Sequence, residues 1–489
     1  MSRRRQPRPD MSPLVLILDQ GGHSTRALVF DGTGALVAQA SQAINTVTRQ
    51  PSWIEQDAAD IVASLHAVLA QVANQLGVRC QHLSAAGLIV QRSSLVAWNR
   101  LSLQPLSPVL SWQDTRHSAW LDDILVGKRD VIRDKTGLYP NAHYGASKIR
   151  WLLDNVPAVK NAAENHVLCI APLASFLQQQ LTHPVEPVVD AVIASRTMLT
   201  EISAMTWSPA LLDLFGIPSA VLPVIMPTLA DYGDLRVGNC NVPLRLLGGD
   251  QSFFAVSHGI LFSEDAVFIN AGTGAFIQQK MPAASVPHAM LCAPLLIAED
   301  PANNIVVAEG TVNAAASALD WFWQRIGLTF STGDWLAAIA QADRDPDSVP
   351  YFINRVTATG SPDWLPAAEP VFSKPSSTGL EAVAVLEAIV FALQRNLDCL
   401  NQVQGCGKIV LSGGLSKLDI FCQCLADVTE KIVLRCDDVE ACARGAAMQL
   451  LPEMVSGSDY REYIPCGNPA QRQRYRQWSA AMDLLSSTG

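Results

Sequence analysis

Leu14 to Leu18 form an apolar run that Asp19, Gln20, Gly21 and Gly22 interrupt, and Ala27 to Phe30 resume it before Asp31 and Gly32. Short apolar runs bounded by polar, glycine-containing turns predict a buried hairpin. Leu36 to Ala40 continues as a strand, Ala58 to Leu76 carries a helical pattern, and Ala85 to Val90 reads as a further strand. This alternation predicts an α/β fold. A second cycle opens near Asp265, where AVFINAGTGAFIQQ repeats apolar strand, glycine turn and apolar strand, with a helix expected over Thr311 to Ile326. Two hairpins of one design, each opening an α/β unit, predict a duplicated domain whose turns face one shared cleft. A helical stretch from Leu380 to Gln404 then leads into the strand KIVLSGG, ending at Gly413 and Gly414, and into a helix through Gln423 and Asp427. Gly and Pro between Pro350 and Thr378 predict a long surface loop, and the polar stretch beyond Pro452 lacks strand signals.

A length of 489 residues predicts two or more domains. With 49% hydrophobic and 16% charged residues the chain fits a well-buried globular protein and not a disordered one. A formal charge of −10 and a pI near 5.4 exclude a chain-wide nucleic-acid-binding role. No apolar run approaches a membrane span, so a soluble, cytoplasmic protein with no membrane partner is expected. MSRRRQPRPD, residues 1 to 10, carries four Arg without the apolar centre of a secretory signal. It reads as most of a disordered tail over residues 1–12, or as sequence upstream of a true start at Met11. The eleven Cys are scattered, which fits reduced thiols. Cys422 and Cys424 lie one residue apart in a helical pattern and so face different ways, which argues against a metal site there.

The candidate chemistry is phosphoryl transfer, which needs amides that cradle phosphate, a carboxylate-held metal and a base that orients the attacking hydroxyl. Gly21 and Gly22 let backbone N–H groups approach an anion, Arg26 adds a fixed positive charge, and Asp19 at the strand end is placed to hold a metal through water. Asp250 in LLGGDQSFFAVSHG follows two glycines at the point where the first half ends. It serves equally as a base or as a helix N-cap.

Short blocks add a resemblance. DQGGHSTRALVFD, WIEQD at Trp53 to Asp57, QRSS at Gln91 to Ser94, TGL at Thr136 to Leu138, Lys148 with Trp151, and ASRTML at Ala194 to Leu199 come first. GDQ at Gly249 to Gln251, AGTG at Ala271 to Gly274, GGLSKLDIFCQCLADV at Gly413 to Val428 and EACARGAA at Glu440 to Ala447 follow. Together, over roughly residues 14 to 450, they resemble the FGGY carbohydrate kinases, and among them the glycerol kinases most.

The resemblance implies two duplicated actin-like, ribonuclease-H-like ATPase domains with an interdomain cleft. It places a sugar-binding and catalytic domain over 13–256, a nucleotide-binding domain over 257–452 and a tail over 453–489. The implied activity moves the γ-phosphate of ATP, with Mg2+, to a hydroxyl of a small polyol or sugar. Asp250 would be the general base, and Asp19 with Asp250 would organise Mg2+. Gln91, Arg92, Ser93, Trp112, Asp114, His143, Tyr144 and Gln251 would meet the substrate. Gln20, Gly21, Gly22, His23, Ser24 and Arg26, with Gly272, Thr273, Gly310, Gly413, Gly414 and Asp419, would meet the nucleotide. Homo-dimeric and homo-tetrameric assembly are both open.

Several positions depart from that pattern. Gly22 and His23 stand where the family has two Thr, Ser93 where glycerol kinases have a carboxylate, and His143, beside Tyr144, where a Tyr is expected. SWQDTR, Ser111 to Arg116, resembles the W-x-D-x-R pattern of pentulose-type kinases, which leaves polyol and ketose substrates both open. On the nucleotide side, Asp320 and Arg444 replace a Gln and a Leu. The departures near the phosphate and the sugar define an alternative, a catalytically impaired actin-like fold acting as a sugar-responsive or partner-binding protein.

Overall fold

The computed structural model describes residues 13–184, 186–260, 263, 265–454 and 459–488. The basic tail over 1–12 and the question of a start at Met11 lie outside them. The chain divides into two compact units: Met1–His258 with Ala293–Ile305 and Glu440–Gly457, and Gly259–Cys292 with Val306–Val439 and Ser458–Gly489. Two segments beyond residue 256 therefore pack with the first unit. One is tied by Thr228, whose N–H donates to the Ile297 carbonyl at 2.8 Å. The other holds helix Ala441–Leu450, where a Cβ on Gly445 would lie 2.9 Å from the Phe253 carbonyl carbon, so only glycine admits that approach.

In the first unit, the strand order of the main sheet is Asp234–Val237, Cys240–Gly249, Leu83–Val90, Leu14–Gln20, Ser24–Asp31, Leu36–Ala43. Leu14–Gln20 runs antiparallel to Ser24–Asp31 and parallel to Leu83–Val90, which is parallel to Cys240–Gly249. All of Leu14–Gln20 is buried, as the apolar run Leu14 to Leu18 requires of a central strand, and Asp19 and Gln20 at its end are buried with it. Helix Ala58–Leu76 starts at Asp57, whose carboxylate accepts the Ala59 and Asp60 N–H groups, and ends at Gly77 with φ 55°. By length and composition this helix, with the turn after it, is apolar enough to cross a membrane, which the expectation had excluded. Its stripe of Ile61, Leu65, Val68 and Val72 packs in one core cluster with Leu16 and Leu18 of the sheet. A second sheet of this unit orders Thr46–Gln50, Trp53–Gln56, Val109–Leu110, Leu95–Asn99 and Leu168–Pro172.

The second unit repeats the scheme. Its strands order Ile305–Val312, Ala275–Lys280, Ala266–Ala271, Lys408–Ser412, Ile432–Cys436 and Tyr460–Tyr463. Ala266–Ala271 is antiparallel to Ala275–Lys280 and parallel to Lys408–Ser412, which is parallel to Ile432–Cys436. Hairpin, parallel neighbour and second parallel neighbour recur in the same senses, so the duplication expected from the two glycine hairpins is present in the pairing.

Three expectations change. Thr311 and Val312 end a strand, and the helix begins only at Ala316. The segment from Pro350 to Thr378 is largely irregular but not a surface loop throughout. Its Ser361 is buried, accepts the Thr311 N–H at 2.7 Å and donates to Asn396 Oδ1 at 2.7 Å. The polar stretch after Pro452 contains strand Tyr460–Tyr463 and helix Pro469–Thr488. There Arg474 reaches the buried Glu387 at 2.8 Å, a partner 87 residues away that local pattern cannot reveal. All eleven cysteines are free thiols.

Candidate active site

The parallel strands of the first unit end together. Gln20 and Gly249 both pair with Val90, so the turns after Leu14–Gln20, Leu83–Val90 and Cys240–Gly249 emerge at one sheet edge. The carboxyl ends of parallel strands are where α/β folds bind ligands. Asp250 is the first residue past its strand, and its N–H donates to the Val90 carbonyl at 3.1 Å. Its carboxylate accepts from the Gln251 N–H at 2.7 Å and from the Gln251 side-chain amide at 3.3 Å. Those bonds stop at the next residue, and helix Ser252–Ser257 has no side-chain cap. Burial pushes the Asp250 carboxyl up to about 6, with Arg92 opposing and Asp19 adding. Arg92 lies across the strand end because Gly249 leaves room: a Cβ there would fall 2.8 Å from Arg92 Cγ.

Arg26 donates one guanidinium nitrogen to Asp19 and the other to Glu440, the latter at 2.6 Å. Burial raises Asp19, and Arg26 opposes that rise. Cys442 faces the same charges: burial pushes its thiol up, Asp250, Asp19 and Glu440 add to the effect, and Arg26 opposes it. Glu440 and Cys442 lie in the EACARGAA block, and a separation of 414 residues leaves no pattern to pair Glu440 with Arg26.

The glycine turn holds itself together more than expected. The Gly21 N–H donates to the Ser24 carbonyl at 3.0 Å within the hairpin, so this amide is not turned to an anion. The Gly22 carbonyl accepts from Gln56 Nε2 at 2.8 Å and from Thr46 Oγ1 at 3.2 Å. His23 is exposed, and its carbonyl accepts the Ile44 N–H at 3.0 Å. Gln20 is fully buried and bonds the Gly21 carbonyl at 2.7 Å. Gln91 donates to Gln20 at 3.2 Å and to Gln56 at 2.9 Å, a buried amide chain that ties three turns.

On the side of the expected substrate, a Cβ on Gly22 would lie 3.7 Å from Trp112 Nε1 and 3.9 Å from Gln91 Oε1, so glycine turn, indole and amide face one another. Trp112 is 40% exposed, and its carbonyl lies 3.1 Å from His143 Nδ1. Tyr144 is buried and starts helix Gly145–Asn155. Asp114 is fully buried: Arg116 Nη2 donates to it at 2.7 Å and the Ile54 N–H at 2.8 Å. Arg116 itself packs against both the Trp53 and Trp151 rings, 4.4 and 4.5 Å from their centroids, while the two rings meet edge to face at 5.1 Å. Asp114, expected to meet the substrate, is thus fully buried and engaged by Arg116 and the Ile54 amide.

In the second unit, Asn270 pairs with Ser412, which brings the Gly272–Thr273 turn beside Gly413. Gly413 has φ 95°, and a Cβ there would lie 2.5 Å from the Ala271 carbonyl carbon. Gly414 is open to solvent. Thr273 is exposed, while its carbonyl and that of Gly272 accept the first N–H groups of the following helix at 2.9 and 3.0 Å. Gly310 does not join this turn. It sits inside strand Ile305–Val312, where a Cβ would collide with Asn396 Oδ1 and lie 2.5 Å from Ile277 Cγ2, so its role is packing. Asp419 is likewise engaged, by Tyr463 at 2.6 Å and Arg435 at 2.8 Å. Arg444, expected near the nucleotide, belongs to the first unit, 5.3 Å from the Phe30 ring and bonded to the Gly34 carbonyl at 2.5 Å.

Comparison with known proteins decides the family. The N-terminal domain of the FGGY family of carbohydrate kinases matches residues 14–256, and its C-terminal domain matches residues 267–451. The chain belongs to the FGGY family of carbohydrate kinases. It is 31% identical over 445 residues to a glycerol kinase of Shewanella pealeana, covering 88% of this chain and 89% of that one. To a glycerol kinase of Rhodospirillum rubrum it is 32% identical over 444 residues, covering 89% of each. Among solved structures, a Plasmodium falciparum glycerol kinase with ADP has a TM-score of 0.84 at 20% identity, covering 97% of this chain and 98% of that one, a likeness of fold. FGGY kinases use ATP as co-substrate and phosphorylate a polyol or sugar. Nothing in these comparisons favours the impaired-scaffold alternative.

Proposed function

We propose that this kinase phosphorylates a small polyol or ketose at a site built on the first unit, with Asp250 as general base. The observation that carries the reading is the Asp250 carboxyl, half-buried at the shared strand edge and pushed up to about 6. A carboxylate poised there is a stronger base than an exposed one and is ionised at neutral pH. Asp250 would take the proton of the attacking hydroxyl as the new O–P bond forms and the bond from the γ-phosphorus to the bridging oxygen breaks, releasing ADP. Arg92 and Trp112 would orient that substrate, with Gly22, Gln91 and His143 around them. Ser93, where a carboxylate is missing, leaves triols and ketoses both open.

Within the second unit, Gly272, Thr273, Gly413 and Gly414 would meet the nucleotide; within the first unit, Gly22, Ser24 and Arg26 are the residues suited to phosphate. Among the described residues no three His, Cys, Asp or Glu side chains group as a metal cage. Asp19 and Asp250 nonetheless suit Mg2+ bound largely through water, because the buried Asp19 and half-buried Asp250 act on each other and Asp19 raises Asp250. The cation would supply charge neutralisation for the phosphates. The test is ADP release from MgATP against a panel of polyols, ketoses and aldoses, with Asp250→Asn as control. A panel in which no member exceeds the control sinks the reading.

A further inference from the structure

Lys148 lies on helix Gly145–Asn155 with 1% of its surface exposed. Its ammonium donates to the Ser93 carbonyl at 3.0 Å and to the Ser111 carbonyl at 2.7 Å. A buried ammonium is costly unless its hydrogens are satisfied, and an apolar side chain would pack this helix without that cost. The two oxygens therefore explain why a lysine stands here. One belongs to the residue after Arg92, the other to the residue before Trp112, so the cation joins the two turns that present these side chains.

The rest of the geometry supports a clamp. Trp112 N–H donates to Ser94 Oγ at 2.9 Å, and Ser94 Oγ donates to Gln91 Oε1 at 3.1 Å, a second link between the same turns. Ser93 has φ 64°, a left-handed conformation uncommon outside glycine, and in it the carbonyl meets the ammonium. The helix that carries Lys148 cannot slide to follow its targets. The Ala146 N–H donates to the Thr197 carbonyl at 2.8 Å, and a Cβ on Gly145 would lie 2.9 Å from Thr197 Cα. Asp114 and Arg116 act on the ammonium from the second turn, and His143 faces it from the segment before the helix.

We propose that Lys148 is a positioning residue for the phosphoryl acceptor: it locks the Gln91–Ser94 and Ser111–Arg116 turns together so that Arg92 and Trp112 meet one substrate. It acts through backbone carbonyls. The proposal rests on the reading that these turns bind the polyol or ketose.

The test compares Lys148→Met, which loses every donor, and Lys148→Gln, which keeps an N–H2 group, with wild type on the substrate that the panel selects. Lys148→Met is expected to raise the acceptor KM about tenfold or more, leave the KM for ATP within about twofold, and be partly rescued in Lys148→Gln. A lysine needed only for folding would lower the melting temperature and the active fraction with both KM values unchanged, and that result overturns the proposal. If Lys148→Met does not fold, Lys148→Gln decides: a roughly threefold or larger rise in acceptor KM alone supports the role, and a smaller one overturns it. Absence of wild-type turnover on the whole panel sinks the kinase reading and this role with it. Wild-type turnover with an unmoved acceptor KM sinks only the role of Lys148.

Discussion

Arg26 and Glu440 form an ion pair at 2.6 Å across 414 residues of chain, and the same guanidinium also holds Asp19. Arg26 is thus a cation shared by two carboxylates, and its direction toward any phosphate depends on both. Glu440→Gln removes one of them in a partly exposed place, so stability should move by no more than about 1 kcal/mol. The value of kcat/KM should fall about tenfold as the guanidinium loses its second anchor. Arg26→Ala leaves Asp19 buried without a counter-charge, and should cost about 3 kcal/mol and about a hundredfold or more in rate. Denaturant unfolding and steady-state kinetics on both variants check the order.

Asp250 should appear as an acid limb in the pH profile of kcat/KM, with an apparent value near 6. Below it the carboxyl is protonated and cannot accept the hydroxyl proton. Asp250→Asn should lose about a thousandfold or more in kcat. The linkage has a definite sign: a carboxyl raised on folding contributes stability below its unfolded value and loses it as pH rises through about 6. Melting temperatures of wild type should therefore drop between pH 5 and 7 relative to Asp250→Asn. A flat difference would count against a raised Asp250.

Gly310→Ala separates packing from nucleotide binding. The new Cβ would strike Asn396 Oδ1 and lie 2.5 Å from Ile277 Cγ2, so the strand or the helix carrying Asn396 must shift. A loss of about 1–3 kcal/mol is expected from such overpacking. The KM for ATP measured on the folded fraction should stay near wild type. A large rise in that KM without loss of stability would put Gly310 back among the nucleotide contacts.

Legibility in the sequence followed the range of the interaction. The two glycine hairpins were readable because continuous apolar runs and turn chemistry are local, and the strand end at Asp250 because Leu246 and Leu247 lead into two glycines. The burial of Asp114 was not legible, since its partners are Arg116 and the Ile54 N–H, and the latter sits 60 residues away. The close packing at Gly310 was not legible because a glycine that admits a neighbouring side chain looks, in sequence, like one that admits a ligand. Glu440 and Lys148 went unassigned for the same reason, as their partners are distant residues or backbone carbonyls that carry no letter code.

The C-terminal helix Pro469–Thr488 carries the sharpest stability prediction, because a polar tail in the sequence proved to supply a buried charge. Arg474 donates to Glu387 at 2.8 and 2.5 Å, and Gln471 donates to it at 3.2 Å. Burial raises the Glu387 carboxyl and Arg474 opposes the rise, so removing the arginine leaves an acid that must either ionise alone in the core or stay protonated. Arg474→Ala should therefore destabilise the second unit by about 3–5 kcal/mol. The variant's loss should grow as pH rises, since a carboxyl raised further on folding gives up stability above its unfolded value. Replacing both partners, Glu387→Leu with Arg474→Met, should recover most of the loss, because the cost lies in the unpaired charge and not in the missing attraction. Two units make a single melting temperature ambiguous, so the readout is calorimetry, with the variant's effect confined to one transition. A double variant no more stable than Arg474→Ala would show that the helix is held by the ion pair itself and not by the apolar contacts of Trp478 and Met482 with the second core.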